Sequence, residues 1–443
     1  MVRLALILLC VCFAMNGNTA AQETSPADFD GDGEVNFSDF LIFARGFGKT
    51  DQDADFDARL DLNDNGAVDF QDFLLFARQF SGSTPPEDAT KEPFDPPRIY
   101  VADQLADRVF VVDTETNMFD PGLSVTIRQP RSVAYSYLNR RFYVAGLDSF
   151  YALTESSEID YQLPLLDMPE VSDGHPEARG GSRMVLSPDQ QLAYLTEDAA
   201  VQVEVVHLKN AESAALIPLS RQPSGIAITP DGSTIYVGHA NDPWISVIDG
   251  PRRTLADSIQ LDGRANGRVV VSPEGESIYT AITLGAPDPS VQIVSIDPET
   301  KEVIERMEIA PDSTTIVNEL KASKGGGKLY ATVRREFIAP NEPLGIAVDS
   351  FFLTIDRKSF ELTSEIPIRR SDAVSFGVIR DGRTAYVATL DFSIFVWQLV
   401  VLDLENDANL GAAPVSFFTP WDVNVYGGKA ALGRAYFPEI TVF

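Results

Sequence analysis

Four textures of apolar and polar residues succeed one another along the chain. Leu4 to Met15 form an unbroken apolar run after Arg3, too short to cross a bilayer comfortably. Further on, Phe37, Phe40, Leu41, Phe43, Ala44 and Phe47 recur as Phe70, Phe73, Leu74, Phe76, Ala77 and Phe80. Spacings of three, four and seven put each set on one helical face, which predicts two short amphipathic helices. Neither is long enough to be stable alone, so the two aromatic faces are expected to pack together. Residues 81–97 then hold Ser, Thr, Pro, Glu and Asp with little apolar matter, which reads as an extended spacer. From residue 98 onward the texture is one of short, β-branched and aromatic runs separated by turn residues.

Those runs repeat. Tyr100, Tyr143, Tyr194, Tyr236, Tyr279, Tyr330, Tyr386 and Tyr436 each sit in a strand-like segment such as IYVAD or FYVAG, at intervals of 42 to 56 residues. Turns precede several of them, as at Ser187-Pro188-Asp189, Thr229-Pro230-Asp231-Gly232, Ser272-Pro273-Glu274-Gly275 and Arg380-Asp381-Gly382. A following strand ends in aspartate at Asp113, Asp249, Asp297, Asp356 and Asp403, and a fourth apolar stretch closes the unit. Four strands at this period predict the blades of a β-propeller, which cannot hide both faces alone and must stack in a ring. Residues 98–127 supply the second to fourth strands of a unit, and 423–443 resemble a first, second and third. Joining the chain ends in one blade gives seven blades, the preferred count. Eight would follow if every tyrosine-bearing strand had a blade of its own. The fold class is therefore mainly β, a propeller over 98–443, preceded by a small all-α module over 22–82 and a linker over 83–97.

Ahead of each predicted helix lies an acidic loop of twelve residues, from Asp28 to Asp39 and from Asp61 to Asp72. Oxygen-bearing side chains stand at positions 1, 3, 5, 9 and 12 of both: Asp28, Asp30, Asp32, Asn36 and Asp39, then Asp61, Asn63, Asn65, Asp69 and Asp72. Position 6 is Gly33 and Gly66, which allows the sharp turn. At position 7, Glu34 and Ala67 would contribute the backbone carbonyl. This is a pattern for wrapping hard oxygens around Ca2+, one ion per loop and two in all. Folding of the module is expected to depend on the metal. The first loop carries more carboxylates and is expected to bind more tightly. Val35 and Val68, at position 8, are expected to pair across a short two-stranded contact. Asp53, Asp55 and Asp57 lack the glycine and read as linker or helix surface.

Charge narrows the partners. Residues 22–92 hold 17 acidic and 5 basic residues, and residues 93–443 hold 48 and 29, in a chain of net charge −30. With no basic cluster, nucleic acid and anionic lipid surfaces are poor partners. Arg3, the apolar run and Thr19-Ala20-Ala21 read as an export signal over 1–21, with no membrane-spanning segment after its removal. Cys10 and Cys12 would leave with it, so disulfides and thiol catalysis are not expected in the remainder.

The two loops resemble the dockerin domain, a tandem calcium-loop module of secreted bacterial proteins. The resemblance covers roughly residues 26–82 and rests on aspartate at position 12, Asp39 and Asp72, where an ordinary EF-hand has glutamate. It implies docking onto a cohesin-like or cell-surface protein through the helices after the loops, at Leu41, Ile42 and Arg45 and at Leu74, Leu75 and Arg78. The larger region is similar to secreted YVTN-type propeller repeats, relatives of lactonase-like and NHL propellers. That resemblance implies architecture, with functions from surface attachment and ligand binding to sugar-lactone hydrolysis.

Catalytic chemistry is thin. Three histidines exist, His175, His207 and His239, of which His239 stands best placed at a strand end beside Asn241 and Asp242. Gly325-Gly326-Gly327 reads as a hairpin turn. Trp244, Trp397 and Trp421 read as packing between blades, or as a ligand platform if exposed. Insertions at 164–181 and 334–345 lengthen loops on the ring. The preferred reading is an exported calcium-binding adaptor whose propeller binds an unknown extracellular ligand through protein–protein or carbohydrate contacts. The alternative is a lactonase-like hydrolase, which would gather carboxylates and asparagines around a further metal in the central channel.

Overall fold

Antiparallel hairpins repeat around a ring because each unit of sequence supplies four strands and three turns. The computed structural model describes residues 98–416 except 105, 166–180, 198–200, 312–313, 324, 326, 339–345, 380 and 392–395, together with 439–442. Towards the amino terminus it describes 26–27, 29, 35, 39, 42–43, 46–51, 56–63, 65–68, 72 and 75–76. Contacts divide the chain into two units, Met1–Glu87 and Asp88–Phe443. The expected export signal, Trp421, Tyr436 and His175 lie outside the described residues.

The larger unit contains seven sheets. Six are continuous in sequence, spanning 132–164, 181–218, 225–260, 264–310, 316–368 and 371–416, and they are called blades two to seven. Blade one is assembled from both ends: Glu439–Val442 is innermost, followed outward by Arg98–Asp103, Arg108–Asp113 and Met118–Phe119. The seven-bladed expectation therefore holds, and with it the allotment of strands. Residues 98–119 fill the second to fourth positions of blade one, and among the described residues of the tail Glu439–Val442 supplies the innermost strand, with Ile99 opposite Val442 and Ala102 opposite Glu439.

Local chemistry fixes the outer hairpins. The carboxylates of Asp113, Asp297, Asp356 and Asp403 each accept backbone N–H groups from the residues two and three further on. Asp249 does the same with Arg252. These bonds, led at Asp403 by one from the Asn406 side chain, hold the five carboxyls below the usual carboxylate range. The residue four positions after each aspartate then takes a left-handed conformation: Asn117, Arg253, Lys301, Phe360 and Asp407, with φ between 50° and 62°. The recurring aspartate is thus a turn former rather than a site.

The ring has no single core. Seven apolar clusters each contain one motif tyrosine and residues of two successive blades. Tyr143 packs with Met184 and Leu195 of blade three, for example, and Tyr330 with Phe376 and Val387 of blade seven. Tyr386 packs with Ile99 and Val101, sealing blade seven to blade one. A phenol at this position fills the wedge between sheets, which explains why the repeat demands an aromatic there. Insertion 334–345 is partly strand, not loop: the ladder continues to Ile338 opposite Ile346.

In the amino-terminal unit, Ala27, Phe29, Val35, Phe43, Leu60, Val68 and Phe76 form one buried cluster. Phe43 and Phe76, from the two aromatic repeats, stack at 5.3 Å, and Phe29 stacks on Phe76 at 5.7 Å. Phe47, expected on the same face, is instead half exposed and only tilts against Phe43. The expected Val35–Val68 ladder is also corrected. Val68 N–H donates to the Lys49 carbonyl at 2.8 Å, and its own carbonyl accepts from Gly48 N–H. Its one backbone donor is thereby spent on the segment just before the second loop.

Candidate functional site

Both acidic loops are latched in the same way. In the first, Phe29 N–H at position 2 donates to Asp39 Oδ1 at position 12, at 2.6 Å. In the second, Leu62 N–H at position 2 donates to Asp72 Oδ1 at position 12, at 2.8 Å, with Asn63 N–H adding a bond of 3.2 Å. Asp39 and Asp72 are fully buried, so each loop is closed onto the start of its own helix. Within the second loop, Asp61 accepts from Asn65 N–H at 3.1 Å and from Gly66 N–H at 2.8 Å. Asn63 accepts from Asn65 N–H, and Asn65 from Ala67 N–H. Gly66 has φ of 85°, as a glycine at the bend requires.

A turn of this kind winds the backbone around side-chain oxygens, the donor type and arrangement that suits Ca2+. Asp61, Asn63, Asn65 and Asp72 fit the ion on that ground. Asp28, Asp30, Asp32, Glu34, Asn36 and Asp69 lie outside the described residues. Among the described residues no group of three or more His, Cys, Asp or Glu side chains gathers. Ala67 faces Thr50 across an isolated bridge. Of the expected docking positions, Ile42 packs against the module's apolar cluster and Leu75 is half-buried. Leu41, Arg45, Leu74 and Arg78 lie outside the described residues. Asp57 makes a short-range pair with Arg59 at 2.7 Å, and Arg59 Nη1 reaches the Phe29 carbonyl at 3.2 Å. That is a surface role for Asp57, while Asp53 and Asp55 lie outside the described residues.

The propeller's inner wall holds a second arrangement, which the sequence did not reveal. A cavity of 780 Å³ runs along the innermost strands of blades three to six. Its walls are largely apolar, including Met184, Leu186, Ile226, Val269, Val271 and Leu320. Arg183, Arg268, Glu319 and Lys321 also line it. Arg183 of blade three pairs with Glu319 of blade six across the channel at 2.9 Å, and Arg268 of blade five approaches the other carboxylate oxygen at 3.5 Å. Arg268 also donates to the carbonyls of Ser224 and Asn318, and Lys321 donates to the Phe376 carbonyl at 2.7 Å. Burial alone would raise the Glu319 carboxyl, but Arg183, Arg268 and Lys321 together push it down to about 2.

Other expected candidates are structural. His239 is buried, with Nδ1 at 2.9 Å from the Gln222 carbonyl and Nε2 at 2.8 Å from Ser246 Oγ. A carbonyl only accepts, so Nδ1 carries the hydrogen and Nε2 accepts from the serine hydroxyl. Burial lowers the imidazole below its ordinary range, keeping it neutral. His207 ends the third strand of blade three. Trp397 is buried between blades seven and one. Trp244 is half-buried beneath the Arg221 guanidinium at 4.9 Å. Asn318 and Asp372 do meet on the innermost strands, at 2.7 Å, but Asp372 is also approached by Arg334 at 3.5 Å. A carboxylate so answered by guanidinium is poorly disposed to a metal.

Among curated proteins none matches the chain. Many solved structures share its fold, and two of them illustrate the likeness. Kuenenia stuttgartiensis hydrazine synthase aligns with a TM-score of 0.52 at 16% identity, over 62% of this chain and 77% of its own. A functionally unknown protein from Desulfotomaculum acetoxidans DSM 771 aligns with a TM-score of 0.55 at 13% identity, over 72% of this chain and 96% of its own. Among the described residues no helix is long and apolar enough to cross a membrane. Residues 26–81 match the dockerin type I domain, a calcium-binding family of typically extracellular proteins that generally binds cohesin-type partners. The chain therefore carries a dockerin type I domain ahead of a seven-bladed β-propeller.

Proposed function

We propose that this protein is an exported adaptor in which two Ca2+ ions order the dockerin domain, which docks onto a cohesin-type partner and so places the propeller at an extracellular or cell-surface assembly. The carrying observation is the repeated latch: position 12 aspartate bonded to the position 2 amide in both loops, Asp39 to Phe29 and Asp72 to Leu62. Such a latch makes each loop a closed turn, in which the remaining oxygens would converge on an ion. Asp28, Asp30, Asp32, Asn36 and Asp39 would hold one ion, with the Glu34 carbonyl. Asp61, Asn63, Asn65, Asp69 and Asp72 would hold the other, with the Ala67 carbonyl. The ions supply neutralisation of a strongly acidic segment and tie each loop to its helix. The chain's own residues then present the outer helix positions to the partner. The propeller binds an extracellular ligand in this reading, its blades serving as scaffold.

Calorimetry on the full chain should show two calcium sites, and Asp28→Ala and Asp61→Ala should each remove one. Binding to an immobilised cohesin domain should require calcium. A wild-type chain that takes up no calcium at millimolar concentration would end this reading.

A further inference from the structure

We propose that the propeller channel is a binding site for a small organic anion with an apolar body, seated with its anionic group against Arg183, Arg268 and Lys321. The inference rests on the reading that the propeller binds a ligand, and not on the calcium loops. Whatever else each touches, three cationic side chains and one carboxylate stand among the described lining residues, in a chain of net charge −30. A positive lining is therefore the opposite of what composition would place there by default.

The cations are also positioned. Arg183 is held by Glu319, Arg268 by Glu319 and two backbone carbonyls, and Lys321 by the Phe376 carbonyl with its ammonium 5.4 Å over the Phe376 ring. Both guanidiniums retain partial exposure, 17% and 18%, whereas Glu319 is 4% exposed. A ligand entering the channel thus meets the cations before the carboxylate. An anion bound there would gain charge-assisted hydrogen bonds within low-dielectric walls. Met184, Leu186, Ile226 and Ile228 line the same space and offer nothing polar from their side chains. Its volume of 780 Å³ suits a ligand of drug-like size, with one charged end and one apolar end.

The test is calorimetry of the full chain with 4-phenylbutyrate, its uncharged amide and inorganic phosphate. The carboxylate should bind in the millimolar range or tighter, and the amide and phosphate each at least about tenfold more weakly. Lys321→Gln should weaken the carboxylate at least about fivefold while circular dichroism stays unchanged. Arg268→Gln should do the same, and if that variant fails to fold, Lys321→Gln alone decides. Repeating the titration in a calcium chelator should leave the affinity unchanged, which separates this site from the dockerin loops. Amide binding equal to the carboxylate, phosphate binding equal to it, an unaffected Lys321→Gln variant, or no binding of any probe would each overturn the proposal.

Discussion

The hydroxyl of Tyr386 donates to Asn117 Oδ1 at 2.8 Å, joining residues 269 positions apart. Asn117 occupies the left-handed turn position before the outermost strand of blade one, and Tyr386 is the motif tyrosine of blade seven. The bond therefore lies at the seam where the ring closes. Tyr386→Phe should cost about 1 kcal/mol, and Asn117→Ala a similar amount. A double-mutant cycle by urea unfolding should show that the two losses do not add. Additive losses would mean the contact carries no energy.

Removing residues 439–443 should be far more damaging. Blade one would lose its innermost strand, and Arg98–Asp103 would present an unpaired edge to the channel. The expected result is a large drop in melting temperature with loss of cooperativity. A truncated chain melting like the full one would show that this strand does not close the ring.

Glu319 is answered by arginines from two other blades, so its removal leaves buried cations facing one another. Glu319→Gln should destabilise by about 3–5 kcal/mol in denaturant titration. Its depressed folded pKa also sets a pH window. The stabilisation is complete above the ordinary glutamate value of 4.5 and is lost as pH falls towards about 2. Wild type should lose stability over that interval more steeply than Glu319→Gln does.

His239 acts with the same sign at higher pH. Its folded pKa lies below the ordinary 6.5, so the unfolded chain binds the extra proton first. Its contribution is present above pH 6.5 and declines as pH falls below it. Replacing His239 with glutamine should flatten the stability profile in the range just under 6.5, read from chemical denaturation at a series of pH values.

Blades four and five meet through backbone alone at one point. A Cβ on Gly225 or Gly238 would lie 2.3 Å or 2.4 Å from the Gly267 carbonyl oxygen, with no flexible side chain able to yield. Gly225→Ala or Gly238→Ala should cost about 1–3 kcal/mol, measured by thermal or urea unfolding. A neutral effect at both would mean that the strands separate freely there.

Blade number and blade packing were legible because one tyrosine marks each wedge: the seven clusters and the tyrosines from Tyr100 to Tyr386 correspond one to one. Strand allotment at the seam was legible as far as residues 98–127 standing second to fourth, but which piece of the tail pairs innermost, with a strand more than 300 residues away, no local pattern encodes. The channel cluster was missed for the same reason. Arg183 and Glu319 come together over a separation of 136 residues. A signal was nonetheless available. SRMVL, GRVVV and NELKA each place charge inside a short apolar strand, where a lone charge is costly and calls for a partner elsewhere on the ring. In the dockerin domain, side-chain types at fixed loop positions announced the oxygens, whereas the choice of Lys49 rather than Val35 as backbone partner for Val68 depended on how the chain returns between repeats.

The placement of Arg98–Asp103 has a mechanical meaning. The dockerin domain is tethered to the ring through this strand, which is flanked on one side by Arg108–Asp113 and on the other by Glu439–Val442. Tension transmitted from a docked partner would therefore load two ladders rather than one. A tether fixed to an outermost strand would instead peel away one bond at a time. The strand at which the circle is completed is thus held on both flanks against a pull.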